Sequence, residues 1–118
     1  MPAFTDTQLE YLLSQRLAHL ATADAKGAPH VVPLRVAADG AAIEVGGRGF
    51  GGTKKYRDMK ANPNVAIVVD DIASTDPWRP RGIEIRGTAE LQPPGAGPAG
   101  PDDPWARIAP DHIVTWGI

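Results

Sequence analysis

Two tight turns near the start of the chain restrict its topology more than any other feature. Asp24-Ala25-Lys26-Gly27 and Asp39-Gly40 separate three strand-like runs, Leu17–Ala23, His30–Ala37 and Ala42–Val45. Parallel neighbours need a crossover of about a dozen residues or more, so connections this short predict an antiparallel meander. Within the second run Val32, Leu34 and Val36 share one face, and Val31, Pro33 and Arg35 share the other. Pro33 has no N–H to give to a ladder, so its strand is expected at an edge, a bulge or an opening of the sheet.

Before the first run, Thr5 and Gln8 have capping-box spacing, and Phe4 and Leu9 stand where a hydrophobic staple would close. With Leu12 and Leu13 following at helical spacing, an amphipathic helix is predicted over Asp6–Gln15. A second helix is predicted from Thr53 to Lys60, ending before Asn62-Pro63. Val65–Val69 is unbroken apolar sequence, as in a central strand covered on both faces. Asp70–Pro80 is expected to be a loop. Ile83, Ile85, Ala89 and Leu91 alternate with Glu84, Arg86 and Glu90, which predicts a long half-buried strand with a solvated polar face. Pro93–Pro104 holds five Pro and three Gly in twelve residues, so it is expected to be irregular and mobile. Ile108–Trp116 supplies the last strand or pair of short strands. The sum is a mainly β, α+β chain forming one domain over residues 1–118. It is a small barrel of about six mostly antiparallel strands, with an N-terminal helix and a helix between strands three and four.

Composition narrows the chemistry. The 118 residues include no Cys, which removes disulfides, thiolate metal sites and Cys nucleophiles, and suits a reducing cytoplasm. No run approaches the roughly 18 apolar residues of a membrane helix, and the basic-then-apolar order of a signal peptide is missing, so a soluble cytoplasmic protein is expected. Twelve Lys and Arg against fourteen Asp and Glu give a charge of −2, which argues against a nucleic-acid binder and makes any anion site local. His19, His30 and His112 lack the close spacing of a metal set, and no metal is expected. Ser14 and Ser74 lie in no nucleophile elbow, so triad hydrolysis is not expected either. Trp78, Trp105 and Trp116 read as packing or subunit contacts. The Trp78 segment stays open to a second role, because arginines flank it and it has no evident core function.

Gly47, Gly49 and Gly52 match G-x-G-x-x-G between a strand and a helix, and Asp70 closes the next strand about twenty residues on. A dinucleotide fold needs further βα units that the hairpins here do not supply, and Thr53 rather than Lys follows Gly52, so the Walker pattern fails as well. What both motifs share still applies: glycines let backbone approach a ligand, and the free N–H groups of a helix start attract an anion. Thr53, Lys54 and Lys55 stand at that start. Cations there oppose the helix dipole at a cost of a few tenths of a kcal/mol each, unless an anion answers them. Two readings remain, an anion site or a flexible loop with solvated lysines.

Several blocks in order resemble one family. They are Pro29-His30-Val31-Val32-Pro33, Gly46-Gly47-Arg48 with Thr53-Lys54-Lys55-Tyr56-Arg57-Asp58, Asn62-Pro63-Asn64-Val65-Ala66, Trp78-Arg79-Pro80-Arg81-Gly82 with Ile83–Gly87, and Trp116-Gly117-Ile118. The chain resembles the split β-barrel, pyridoxamine 5′-phosphate oxidase-like (PPOX class) flavin and deazaflavin oxidoreductases, and most of all their actinobacterial F420-dependent branch. The likeness covers nearly everything except residues 93–103. It implies a homodimer with the cofactor, F420 or alternatively FMN, at the subunit interface. By the same resemblance Lys55 is the main phosphate ligand, with Thr53 and Arg57 beside it and Lys54 near. Gly47 and Arg48 would pass beside the ring, and Val31, Val32 and Pro33 would help wall it. Trp78, Arg79, Arg81 and Trp116 would reach across the dimer. Arg48 and Arg57 could also meet an acidic cofactor tail, since guanidinium groups bind oxyanions bidentately. The implied activity is hydride transfer between F420 and a small unsaturated or conjugated substrate. A non-catalytic carrier or sensor of the same cofactor is the alternative.

Overall fold

The computed structural model describes residues 3–98 and 100–118. Helix α1 (Asp6–Ser14) opens on the predicted box: the Thr5 N–H donates to Gln8 Oε1 at 2.9 Å, and the Gln8 N–H donates to Thr5 Oγ1 at 3.1 Å. Phe4, Tyr11 and Leu12 are buried, and Leu9 packs against the same core, so the apolar face of the helix lies where the spacing puts it. Among the described residues no helix is long and apolar enough to cross a membrane.

Among the described residues seven strands follow: β1 (Ala18–Ala23), β2 (Pro29–Leu34), β3 (Ala37–Ala38), β4 (Ile43–Val45), β5 (Asn64–Thr75), β6 (Trp78–Gln92) and β7 (Trp105–Trp116), with α2 (Lys54–Ala61) between β4 and β5. They form one antiparallel sheet in the order β2-β1-β5-β6-β7-β4-β3. The three-strand meander is therefore corrected. The run at His30–Ala37 divides into β2 and β3, and β4 pairs with β7 instead of β2. The division has a geometric consequence. β2 and β3 are opposite edges of the sheet, yet Arg35 and Val36 alone separate them in the chain. Three peptide links reach no more than about 11 Å, so the sheet must curl until its edges nearly meet. The result is a half-barrel open along one seam, with Pro33 on an edge strand as its missing N–H demands.

Leu20, Ile67 and Ile85 stand opposite one another across β1, β5 and β6, and fill the interior with Ile43, Ile83 and Ile108. Burying large aliphatics of this kind contributes about 1.5–3 kcal/mol each. β5 is central, but its second face is uncovered within one chain: Val65, Ile67 and Val69 are buried, while Ala66 and Val68 are half-buried. They share the outer face with Ala21 and the 64 % exposed Val31.

The loop expected over Asp70–Pro80 is instead a hairpin arm, in which β5 runs to Thr75 and β6 begins at Trp78. Cross-strand contacts override the turn-forming composition. Asp71 stands opposite Arg81, whose Nε and Nη2 donate to both carboxylate oxygens at 2.7 and 2.8 Å. The Tyr11 hydroxyl donates to Asp71 Oδ1 at 2.8 Å, and the guanidinium lies 5.3 Å from the Tyr11 ring centroid. Burial, and then the bond to Asp71, push the Tyr11 hydroxyl pKa upward, which keeps it a donor.

The Arg81 hydrogen bonds hold the Asp71 carboxyl below its ordinary 3.8, and Asp39 and Asp58 are lowered too. A carboxylate with a lowered folded-state pKa stabilises fully above its unfolded value and loses that contribution as pH falls through the folded one. Melting temperatures measured across a pH series should thus decline on the acid side, below about pH 4. Asp71→Asn should shrink that decline.

Candidate functional site

The glycine segment leaves β4, forms a 3-10 turn at Phe50–Gly52 and enters α2. Its two sides differ. A Cβ on Gly46 would lie 3.2 Å from Pro98 Cγ, and one on Gly51 would lie 3.0 Å from Pro104 Cγ, whereas Gly47, Gly49 and Gly52 border open space. Gly49 also has φ +70°, a backbone setting that suits glycine. The proline-rich segment is irregular, as expected, but it is anchored along one side of the glycines. Asp103 Oδ1 accepts from the Gly49 N–H at 3.2 Å. The open side, where side chains would intrude, is the one a ligand could approach. Beside it, a cleft of about 420 Å³ follows the seam, lined by Arg35, Val36, Ala37, Gly46, Gly47 and Pro98.

Thr53 is the N-cap of α2. Its Oγ1 accepts from the Tyr56 N–H at 3.3 Å and donates to the Phe50 carbonyl at 2.6 Å, while the Arg57 N–H reaches the Thr53 carbonyl at 3.2 Å. The amides of Lys54 and Lys55 then have no acceptor among the described residues, as the geometry of a helix start dictates. The twin lysines diverge. Lys54 Nζ donates to both Asp58 oxygens at 3.0 and 3.3 Å. Lys55 Nζ lies 5.7 Å from the Phe50 ring centroid and forms no ion pair among the described residues. Arg57 Nη1 donates to the Gly52 carbonyl at 3.0 Å, which braces the turn. Arg48 is exposed at the same loop. Among the described residues no cluster of three or more His, Asp or Glu could hold a metal.

Gly47, Arg48, Thr53, Lys54, Lys55 and Arg57 thus lie on one continuous loop and helix start. Val31, Val32 and Pro33 do not form one surface, because strand alternation turns Val31 and Pro33 outward and leaves Val32 on the opposite face. Trp78, Arg79 and Trp116 lie at the arm end of β6 and β7, the other end of the β5–β6 ladder from the Asn64–Thr88 pair that follows α2. Trp78 is 64 % exposed, Arg79 is exposed, and the Trp116 ring lies against Gly82. Arg81 is engaged by Asp71 of its own chain. Asp58 joins these residues without any motif that marks it, the one signal being its position four residues after Lys54 on a helix.

A curled antiparallel sheet, open along one seam and carrying a basic loop-and-helix corner, defines the class of split-barrel proteins. The chain belongs to the pyridoxamine 5′-phosphate oxidase-like family, in its actinobacterial branch, and is an oxidoreductase of that class: the pyridoxamine 5′-phosphate oxidase family matches residues 4–99. It is 41 % identical over 119 aligned positions to the 5a,11a-dehydrotetracycline/5a,11a-dehydrooxytetracycline reductase of Streptomyces rimosus subsp. rimosus, covering 98 % of this chain and 84 % of that one. Among solved structures, a protein described as an F420 reductase superposes with a TM-score of 0.68 at 27 % identity, over 97 % of this chain and 98 % of that one. HupZ of Group A Streptococcus shares the fold with a TM-score of 0.75 at 23 % identity, over 97 % and 94 % of the two chains.

Proposed function

We propose that this oxidoreductase is an F420-dependent reductase that passes hydride between the deazaflavin and a small unsaturated or conjugated substrate. The observation that carries the reading is Lys55, which among the described residues has no carboxylate partner, beside two helix-start amides with no acceptor there and the open side of the glycine segment. Such a corner suits a phosphate, because the amides, the dipole and the ammonium act on the same anion. The relative that reduces a dehydrotetracycline and the structure described as an F420 reductase support the choice of chemistry. When bound, the cofactor supplies the hydride chemistry, and the protein holds, orients and shields it. Lys55 and the Lys54 and Lys55 amides hold the phosphate, with Thr53 fixing the helix start and Arg57 bracing the turn. Gly47 leaves room for the ring, and Arg48 lies within reach of an acidic tail. Val32 lines the inner side of β2, while Val31 and Pro33 face outward.

The working form in this reading is a cytoplasmic homodimer with the cofactor between subunits. The outward apolar set of Val31, Ala21, Ala66 and Val68 supports a partner on that face. The arm, with exposed Ile72, Trp78 and Arg79, and Trp116 beside it would contribute from one subunit to the other. The same corner would accept FMN, so the decisive measurement is a fluorescence titration of the purified protein with each cofactor. F420 should be quenched at lower concentration than FMN. The opposite order would make the protein a flavin oxidoreductase, and F420 binding without oxidation of its reduced form by any conjugated substrate would make it a carrier.

A further inference from the structure

The buried polar or charged side chains among the described residues are Thr22 and Asp58, and they are bonded to each other. Thr22 Oγ1 on β1 donates to Asp58 Oδ2 on α2 at 2.8 Å. Lys54 Nζ donates to the same carboxylate, and His30, opposite Thr22 in the β1–β2 register, adds its charge when protonated. A buried carboxylate persists only when so partnered. The Lys54 hydrogen bond, foremost, holds the Asp58 carboxyl below its usual range, so it is ionised at neutral pH. The arrangement offsets the charge of Lys54 and leaves the half-buried Lys55 without an ion pair among the described residues.

We propose that Asp58, by neutralising Lys54, sets the corner to take a singly charged phosphodiester in preference to a doubly charged phosphomonoester. This rests on the reading of the corner as a cofactor-phosphate site and deepens it. The phosphate of F420 is a diester with one negative charge, whereas that of FMN is a monoester with nearly two at pH 7. Coulomb attraction scales with ligand charge, so withdrawing one cation weakens a dianion about twice as much as a monoanion at the same position. Asp58 is a specificity-setting residue that acts through Lys54 and never touches the ligand.

The test uses phenyl phosphate and methyl phenyl phosphate, which differ by one charge, as displacers of whichever cofactor the titration identifies. Asp58→Asn keeps an acceptor for the Thr22 hydroxyl but releases Lys54. It should shift the ratio of the two inhibition constants toward the monoester by about threefold at low salt, and the shift should shrink as salt is added. Lys54→Gln should move the ratio the other way, and it decides the matter alone should Asp58→Asn fail to fold. Thr22→Val loosens the tether without changing charge and should leave the ratio where it is. A ratio that stays constant in both charge variants, while both esters still displace, overturns the role of Asp58 and leaves the corner standing. Failure of both esters to displace the cofactor from wild type overturns the corner itself, and the role of Asp58 with it.

Discussion

Lys55→Ala is expected to weaken cofactor binding at least tenfold while barely moving the melting temperature. A charge-assisted contact removed from a ligand costs on the order of 1.5–3 kcal/mol, which corresponds to roughly 10- to 150-fold in affinity. The loss falls wholly on the ligand because Lys55 has no carboxylate partner within the chain among the described residues. Its neighbour within the chain is the Phe50 ring at 5.7 Å, a cation–π contact worth about 0.5–1 kcal/mol. Removing a cation from the start of α2 also relieves a few tenths of a kcal/mol of dipole repulsion, which offsets part of that. Isothermal titration against F420 and FMN, with a thermal melt alongside, reads both quantities. Unchanged affinity would place the phosphate elsewhere and remove the observation on which the cofactor assignment rests. A large fall in melting temperature would mean that Lys55 is structural.

The parts of this fold that the sequence made legible are those decided by near neighbours. The capping box of α1 needs only Thr5 and Gln8, and both of its hydrogen bonds form. The turns at Gly27 and Asp39-Gly40 close locally: the Gly27 N–H reaches the Asp24 carbonyl at 3.0 Å, and Asp39 Oδ1 accepts from Ala41 and Ala42. What escaped was decided at long range. Nothing near Ala42 shows that β4 will pair with Ala106–Ile108 instead of β2, because that choice follows from curling the whole sheet. The arm was hidden because Asp70, Asp71, Ser74 and Asp76 are turn formers in isolation, and the Arg81 and Tyr11 side chains that tie Asp71 into a strand come from other elements. The candidate corner lay between these cases. Its residues are contiguous and were readable as a group, but the split between a paired Lys54 and an unpaired Lys55 depends on side-chain direction around α2. The wall of Val31, Val32 and Pro33 was implied by the resemblance alone, while the alternation read from the sequence already put Val32 on one face and Val31 and Pro33 on the other, as β2 does.

Gly87→Ala is expected to be among the most damaging single-methyl additions in the chain, and the comparison with other glycines explains why. Gly87 lies in β6 between Val65 of β5 and Pro110 of β7, beside a register shift. A Cβ there would stand 2.3 Å from the Ala109 carbonyl oxygen and 3.1 Å from Ile108 Cγ2. The nearest obstacle is backbone held in a ladder, so no side-chain rotation relieves it and β7 must shift. Overpacking of this kind costs about 1–3 kcal/mol or more, against a total stability of about 5–15 kcal/mol for a domain. Alanine returns about 0.4–1 kcal/mol by restricting the unfolded chain only where the native site accepts it, which is not so here. At Gly82 the nearest atoms belong to the Trp116 ring, at 2.4 and 2.7 Å, so Gly82→Ala should displace that indole before it disturbs the sheet. Gly52→Ala, which meets nothing within 4 Å, should leave stability within about 0.5 kcal/mol of wild type. Urea unfolding of the three variants ranks them. If Gly87→Ala unfolds at the wild-type midpoint, β7 does not press on β6 as closely as the register requires, and the anchoring of the sheet beneath α2 would have to be sought in other contacts.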